Sequence, residues 1–387
     1  MAIPLAYNLR NLTARKTTTI MTALGIALTV AVLLSVAAMF QGLRSSLAAT
    51  GHPLNLLVMR KGATAELNSL MTRPNFQIIK AKPGITHGKD GEPLASLELV
   101  TVIVLESLEN LEMNITVRGL TPAGWDIREG VRLIEGRRFQ PGRREAVVGK
   151  GVAARYPAAR LGSKLSFGRG DWEIVGVLDA GMSAANGEVF VDLHQIASDQ
   201  RRDEALSSVL LRVTDPVALQ ALKNDLTTDR RFMLDAVTEK EYYENQTSAG
   251  APLVAIGGIA SLFMAVGSGF AAMNTMYAAV ARRSAEIGTL RVLGFSRFSI
   301  LTSFFIESLL LSLFGGIIGC LLVLPLNNLT TGVGSFVTFS EITFNFAVTP
   351  TIMASGILFA LLLGGFGGLF PAASAAGKQI LAALRSV

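Results

Sequence analysis

Four stretches of the chain are apolar and almost free of charged side chains. No charge occurs between Lys16 and Arg44 or between Glu244 and Arg282, and the two later stretches contain a single charge, Glu307. Each stretch is long enough to cross a bilayer, because a helix of 24 residues already spans roughly 36 Å. A cleaved secretory signal is the alternative for the first stretch, which is about twice as long as the usual signal core of ~7–15 apolar residues. The pattern therefore predicts four transmembrane helices, over residues 17–43, 250–281, 298–326 and 350–376.

The segment between the first two stretches, residues 44–249, has the pattern of a folded domain. Asp215 followed by Pro216 predicts a capped helix over 217–226, and a strand over 232–237 comes next. Runs that are β-branched or alternate between apolar and polar residues predict further strands at 97–105, 115–120, 146–148, 172–178, 189–191 and 208–213. The predicted fold class is an α+β membrane protein, with four transmembrane helices and a large α+β extracytoplasmic domain between the first and second.

The distribution of charge predicts an orientation. Residues 41–249 carry 26 Lys and Arg and 26 Asp and Glu, so the net charge of +6 comes from the remaining nine basic and three acidic residues. Those nine basic residues flank the predicted helices, and the loop 327–349 has none. Because cytoplasmic loops of membrane proteins are rich in Lys and Arg, we expect segments 1–16, 282–297 and 377–387 in the cytoplasm, and 44–249 and 327–349 outside. Nucleic-acid binding is not expected, because no basic stripe occurs in the domain.

The sequence shows no pattern typical of catalysis or metal binding. It has one cysteine, Cys320, and its three histidines, His52, His87 and His194, are far apart in the chain. It also lacks the glycine-rich Lys-Ser/Thr loop that cradles nucleotide phosphates. We therefore expect a non-catalytic chain with no catalytic, cofactor-binding or metal site of its own.

The most specific motif of the chain is Val280–Gly294 (VARRSAEIGTLRVLG), preceded by Phe270–Tyr277 (FAAMNTMY). It resembles the signature of the MacB/FtsX-like ABC transporter permeases, the type VII or mechanotransmission family. Similarity to that family also occurs before the first apolar stretch, in Asn8–Thr19 (NLRNLTARKTTT), and near the C-terminus, in Phe370–Arg385. The segment Leu133–Phe139 (LIEGRRF) is similar to the family's periplasmic core domain.

The resemblance implies a multi-pass permease of the bacterial inner membrane that works with other chains. The partners it implies are two copies of an ABC ATPase subunit, which would bind ATP and Mg²⁺, and a second permease copy, either identical or related. A periplasmic adaptor is a further implied partner. The chain differs from MacB, in which the ATPase is fused to the permease, so we expect ATP hydrolysis by a separate chain.

The predicted cytoplasmic segment 282–297 is the expected ATPase contact. If it is helical, Ile287, Leu290 and Gly294 share one face, and Arg283 lies one turn from Glu286. A short amphipathic helix of this kind can dock in a groove of a partner. The alternative is that its arginines only anchor the topology. The residues we expect to couple to the ATPase are Arg282, Arg283, Glu286, Ile287, Leu290, Arg291 and Gly294.

A few residues stand out inside the predicted helices. Glu307 and Asn274 are intramembrane polar residues, and an acid in the membrane is a functional candidate because its burial is costly. For Glu307 the alternatives are transport chemistry, a bond to a partner helix, or an ion pair with Arg297 or Arg10. Small-residue steps permit close helix contact, and they form either a dimer seam or contacts within one subunit: Gly315, Gly319, Gly364 and Gly368.

The predicted function is relay of ATP hydrolysis to the extracytoplasmic domain, for efflux of a drug-like, peptide or lipid substrate. Two alternatives within the family are a lipoprotein-releasing permease and an FtsX-like regulator of a cell-wall hydrolase. The size of the domain favours the first two roles over the third. Outside the family, the alternatives are a membrane-anchored sensor or receptor and a membrane-anchored enzyme.

Overall fold

The computed structural model describes residues 16–229, 231–247, 251–335 and 338–377. The basic residues Arg10, Arg15, Lys378 and Arg385, and most of the predicted segments 1–16 and 377–387, lie outside these ranges. Contacts divide the chain into two compact units. We call them the helical unit (1–41, 252–329 and 347–387) and the sheet domain (42–251 and 330–346).

The described residues form eleven α-helices and twelve β-strands. The helices are α1 Lys16–Ala49, α2 Arg73–Lys80, α3 Pro122–Ile127, α4 Lys150–Arg155, α5 Leu193–Asp199, α6 Pro216–Thr228, α7 Glu239–Gln246, α8 Ala251–Arg282, α9 Ser284–Val292, α10 Arg297–Val323 and α11 Pro350–Gly377. The strands are β1 Asn55–Arg60, β2 Ala95–Glu106, β3 Glu112–Leu120, β4 Arg132–Gly136, β5 Glu145–Gly149, β6 Lys164–Phe167, β7 Gly170–Asp179, β8 Glu188–Asp192, β9 Ser208–Arg212, β10 Leu234–Thr238, β11 Thr330–Gly334 and β12 Glu341–Asn345.

Four of the helices, α1, α8, α10 and α11, are long and apolar enough to cross a membrane. Two glycines of α10 allow this helix to pack closely on α1. A Cβ added at Gly315 or Gly319 would lie 2.8 Å from a backbone oxygen of α1, at Ala23 and Ala27 respectively. Close backbone approach of this kind is what small residues allow in apolar helix pairs.

The other pair of glycines joins α11 to α10. Any side chain at Gly364 or Gly368 would collide with Ser312 or Ser308, and the Ser308 hydroxyl donates to the Gly364 carbonyl. All four of the small residues singled out from the sequence therefore make close helix contacts within the chain.

The sheet domain is built on one mixed sheet in the order β10-β1-β9-β2-β3-β8-β5-β7-β4, with β6 paired to β7. Two neighbouring pairs, β3 with β8 and β5 with β7, are parallel, and the other pairs are antiparallel. Its core contains the fully buried Trp172, Tyr156 and Phe190. The predicted capped helix is α6, where the Asp215 carboxylate accepts hydrogen bonds from the amides of Val217 and Ala218 (both 2.9 Å).

A cluster of charged side chains is buried in the middle of this sheet. Arg118 on β3 donates to Glu66 (2.8 Å), to Glu98 (2.8 Å) and to Glu188 (2.7 Å). Arg128 donates to both oxygens of the Glu98 carboxylate, at 2.7 and 2.8 Å. Burial alone would raise the pKa of Glu98, but Arg128 and Arg118 outweigh it and hold that pKa below its ordinary value. Two guanidiniums thus share three carboxylates with little contact with water.

A second buried carboxylate joins the two ends of the domain. Glu239, the first residue of α7, accepts from the backbone amide of His52 (3.0 Å) and from the side chain of Asn55 (2.7 Å). His52 and Asn55 follow α1, and α7 precedes α8. The Glu239 carboxylate therefore connects the segment that leads from α1 into the sheet domain with the segment that leads out of it to α8. Burial raises the pKa of Glu239, although Arg128 and the bond from Asn55 oppose the rise.

The segment predicted as an outer loop, 327–349, contains the hairpin β11–β12, which belongs to the sheet domain. The fully buried Glu341 of β12 binds both the Arg155 guanidinium and the Tyr156 hydroxyl. Burial and the neighbouring Glu341 raise the pKa of Tyr156, so the phenol keeps its proton and donates it. The connection between α10 and α11 is therefore anchored in the sheet domain.

We expect Arg118→Met to destabilise the sheet domain by about 3–5 kcal/mol, since it leaves buried carboxylates without their partner. The two tryptophans of the chain, Trp125 and Trp172, both lie in this domain, so the Tm from tryptophan fluorescence of the full chain reports on it. Arg231→Met, which removes the ion pair between an exposed guanidinium and Asp229, is the matched control and should leave the Tm almost unchanged. Equal effects of the two changes would show that the buried cluster does not stabilise the domain.

Glu239→Gln should remove one pH-dependent contribution to the stability of the sheet domain. Because the pKa of Glu239 is raised in the folded state, the folded chain holds a proton that the unfolded chain releases. The contribution of Glu239 to wild-type stability therefore falls as pH rises from the ordinary carboxyl pKa through the raised one. Glutamine stays neutral and its oxygen can accept both bonds, so its advantage over wild type should grow across that window, by about 1.4 kcal/mol per unit of pKa elevation. Tryptophan-fluorescence melts from pH 4.5 to 7.5 measure this, and parallel curves for the two proteins would contradict it.

Candidate functional site

The short helix α9 and the ends of α8 and α10 beside it form the candidate site. Helix α9 ends in a Schellman motif: the amide of Gly294 donates to Arg291 O (3.2 Å) and that of Phe295 to Leu290 O (3.1 Å). Gly294 has φ +91°, a conformation that glycine adopts without strain. Ser296 caps the N-terminus of α10, because its hydroxyl accepts a hydrogen bond from the amide of Ser299 (3.1 Å). Gly294 therefore serves to end α9 and to allow the chain to turn into α10.

A buried ion pair fixes α9 to α10. Arg283, between α8 and α9, donates to Glu307 at 2.9 Å, and both side chains are almost completely buried. The same guanidinium donates to Glu286 at 3.0 Å and lies 4.8 Å from the centre of the Phe304 ring. Glu307 thus pairs with Arg283, a partner that was not among the alternatives considered from the sequence. Arg10, one of those alternatives, lies outside the described residues.

The two faces of α9 have different environments. Ile287 is 2% exposed and packs in an apolar cluster with Val280, Ile300 and Phe304. The expected docking face of Ile287, Leu290 and Gly294 is therefore partly turned into the chain itself. The exposed face carries Glu286, Thr289 and Leu293, of which Leu293 is 65% exposed.

The remaining candidates lie apart from the ion pair. Arg282 is exposed, and Arg291 donates to the carbonyl of Phe295 (3.3 Å). Asn274 is exposed on α8. Sequence reasoning identified Arg283 and Glu307 separately but not as partners, because 24 residues separate them and no local pattern links them.

Comparison with known proteins decides the family. The model of the MacB-like periplasmic core domain matches residues 19–229, and that of the FtsX-like permease C-terminal domain matches residues 258–380. The chain belongs to the MacB/FtsX-type ABC transporter permeases. The resemblance inferred from the motifs is thereby confirmed, together with the four apolar helices and the α+β domain between the first two of them.

Individual relatives cover the permease to different extents. The uncharacterized ABC transporter permease YknZ of Bacillus subtilis is 27% identical over 97% of both chains. The macrolide export ATP-binding/permease protein MacB of Hyphomonas neptunium is 25% identical over 97% of this chain and 60% of its own length. MacB of Acinetobacter baylyi is 26% identical over 58% of this chain and 34% of its own. The permease thus spans between a third and three fifths of the length of these MacB proteins.

Among solved structures, the periplasmic region of MacB from Actinobacillus actinomycetemcomitans aligns with 49% of the permease and 90% of its own chain, at 12% identity and a TM-score of 0.37.

We expect Glu307→Gln to loosen α9, because it removes the buried partner that holds Arg283. In a background in which the single cysteine is replaced (Cys320→Ala), a cysteine at the buried position (Ile287→Cys) should react slowly with a maleimide. Adding Glu307→Gln should speed that reaction about tenfold or more, the change expected when roughly 1.4 kcal/mol of local stability is lost. A cysteine at the exposed position (Thr289→Cys) is the control and should react fast in both backgrounds. An unchanged rate at position 287 would show that the ion pair does not hold α9.

Proposed function

We propose that this permease relays the work of a separate ATP-binding subunit, through α9, to its sheet domain on the other side of the membrane. The permease would sit in the inner membrane with both termini and α9 in the cytoplasm, in agreement with the arginines around α9. The work done outside would extrude a drug-like, peptide or lipid substrate. The macrolide export named for the MacB relatives supports this class of substrate.

The observation that carries the proposal is the buried Arg283–Glu307 pair. An ion pair excluded from water resists separation, because parting it would leave an uncompensated buried charge. A force on α9 is therefore passed to α10 through Arg283, and to α8 through the covalent chain. A helix fixed in this way can transmit displacement, whereas a loop held only by solvent contacts would absorb it.

The exposed face of α9 is the surface that we propose docks on the ATP-binding subunit. It combines a carboxylate, Glu286, with apolar surface at Val292 and Leu293. Such a surface, with an apolar centre and a charged rim, suits the groove of a partner protein. Arg283 acts behind this surface as a positioning residue.

Two variants separate docking from relay. Leu293→Asp should reduce co-purification of a co-expressed ATP-binding subunit at least about thirtyfold, the size of a hot-spot loss. Glu307→Gln replaces no residue of the exposed face, so the subunit should still co-purify with the looser α9, but ATP should no longer change the exposure of the sheet domain to hydrogen exchange. Arg231→Glu, a charge change on the sheet domain, is the control for non-specific effects. Full co-purification with Leu293→Asp would rule out the proposed docking face.

A further inference from the structure

The sheet domain contains a cavity of about 210 Å³, which we call the Glu239 cavity. Its wall combines the segment after α1, the loop after α3, the connection from β7 to β8, the end of β9 and helix α7. Glu129 lines it with a side chain that is 66% exposed, so the cavity reaches the surface at that residue. Since a protein cavity of about 150 Å³ can hold benzene, the Glu239 cavity has room for a small organic molecule.

The charged side chains that line the cavity are paired, with one exception. The pairs are Arg128 with Glu98, Arg212 with Glu129 and Glu188 with Arg118, at 2.7–2.8 Å. Glu239 is the exception, because it is 6% exposed and forms no ion pair with any residue that the structure describes. Burial and the nearby Arg212 lower the pKa of His52, so at neutral pH this imidazole supplies no positive charge either. The wall of the cavity therefore leaves one buried acid without a countercharge.

Two polar atoms at the cavity have no hydrogen bond to the part of the chain that the structure describes. Oε2 of Glu239 accepts the bonds from His52 and Asn55, whereas Oε1 accepts none. Tyr243, one turn further along α7, also lines the cavity, and its hydroxyl is likewise without a bond. Buried polar atoms normally have a partner. Water can bond both atoms, but it brings no countercharge for the carboxylate.

We propose that the Glu239 cavity binds a small organic amine in its cationic form, with the ammonium group between Oε1 of Glu239 and the hydroxyl of Tyr243. An ammonium group has three donors and no acceptor, which suits a carboxylate oxygen and a hydroxyl that can accept. An anion would meet the acid, and both guanidiniums that line the cavity are already bonded to carboxylates. Among the described residues no group of His, Cys, Asp and Glu could hold a metal ion, which favours an amine over a metal cation. The inference goes beyond the proposed relay and does not depend on it.

A bound amine would also strengthen the connection that Glu239 makes. The cation favours the ionised carboxylate, and hydrogen bonds to an ionised acceptor are stronger than those to a neutral one. The bonds from His52 and Asn55 would therefore tighten. The ligand would in this way hold the segment that follows α1 more firmly to α7, the helix that leads into α8.

Thermal melts of the full chain in lipid nanodiscs test the site, with tryptophan fluorescence as the readout. The probe is n-butylammonium chloride at neutral pH, compared with n-butanol and sodium butyrate at equal concentration and ionic strength. At about 100 mM, a hundredfold excess over a weak millimolar Kd, n-butylammonium should raise the Tm of the wild type by about 5–10 °C. Neither n-butanol nor butyrate should raise it, because neither provides a positive charge.

Glu239→Gln should weaken the affinity for n-butylammonium at least about tenfold, since it removes the countercharge. Glutamine can keep both bonds to His52 and Asn55, so the variant stays folded and its loss of binding is not a loss of structure. Tyr243→Phe removes only the hydroxyl and should weaken the affinity about three- to tenfold. The matched control is Glu241→Gln on the same helix, whose carboxylate is 46% exposed and bonds Lys223 at 2.8 Å. This variant should keep the full shift in Tm.

Three results would overturn the proposal. One is the same Tm shift in the wild type and in Glu239→Gln, which would place the amine elsewhere. Another is a shift with n-butanol or butyrate as large as that with n-butylammonium, which would show that the cavity does not select a cation. The third is the absence of any shift with n-butylammonium in the wild type.

Discussion

The ion pair between Arg283 and Glu307 joins the helix that follows one apolar span to the interior of the next. Neither charge is stable alone in a buried, apolar setting, because each would lose its hydration without replacement. Arg283 is placed at the junction of α8 and α9, and Glu307 lies three turns inside α10. The ion pair therefore fixes the position of α9 against α10, and it determines which face of α9 is left for a partner.

The sheet domain also contains buried charges that must be paired, and it pairs them in a larger cluster. Arg118 binds three carboxylates and Arg128 shares one of them, so that each buried oxygen has a donor. A network of this kind tolerates little rearrangement, because a partial movement would leave a charge without a partner. The domain is thus suited to move as one body.

The sequence predicts those features that depend on local pattern. The spans follow from uncharged runs, the strands from alternation, and α6 from Asp215 and Pro216, because each of these signals acts over a few residues. Local pattern does not fix the face of α9, since Ile287 and Leu290 on one side and Val292 and Leu293 on the other are equally apolar. In the structure the inner face is set by tertiary contacts, the packing of Ile287 on Ile300 and Phe304 and the ion pair of Arg283. The segment 327–349 is predicted only as an outer loop, although Ile342, Phe344 and Phe346 alternate with polar residues as in a strand. Its place in the sheet domain depends on the bonds of Glu341 to Arg155 and Tyr156, which are distant in sequence.

Chain connections join each apolar span to an element of the sheet domain. Helix α1 leads into β1, α7 leads into α8, and α10 and α11 are joined through the hairpin β11–β12. Buried carboxylates hold all three connections in the domain: Glu239 joins the residues that follow α1 to the helix that precedes α8, and Glu341 holds the hairpin. Each apolar span is therefore continuous with an element of the sheet domain that is anchored by a hydrogen-bonded acid. A relay that used α1 and α8 alone would leave the hairpin as a passive loop, but burying Glu341 against Arg155 gives α10 and α11 a connection of their own.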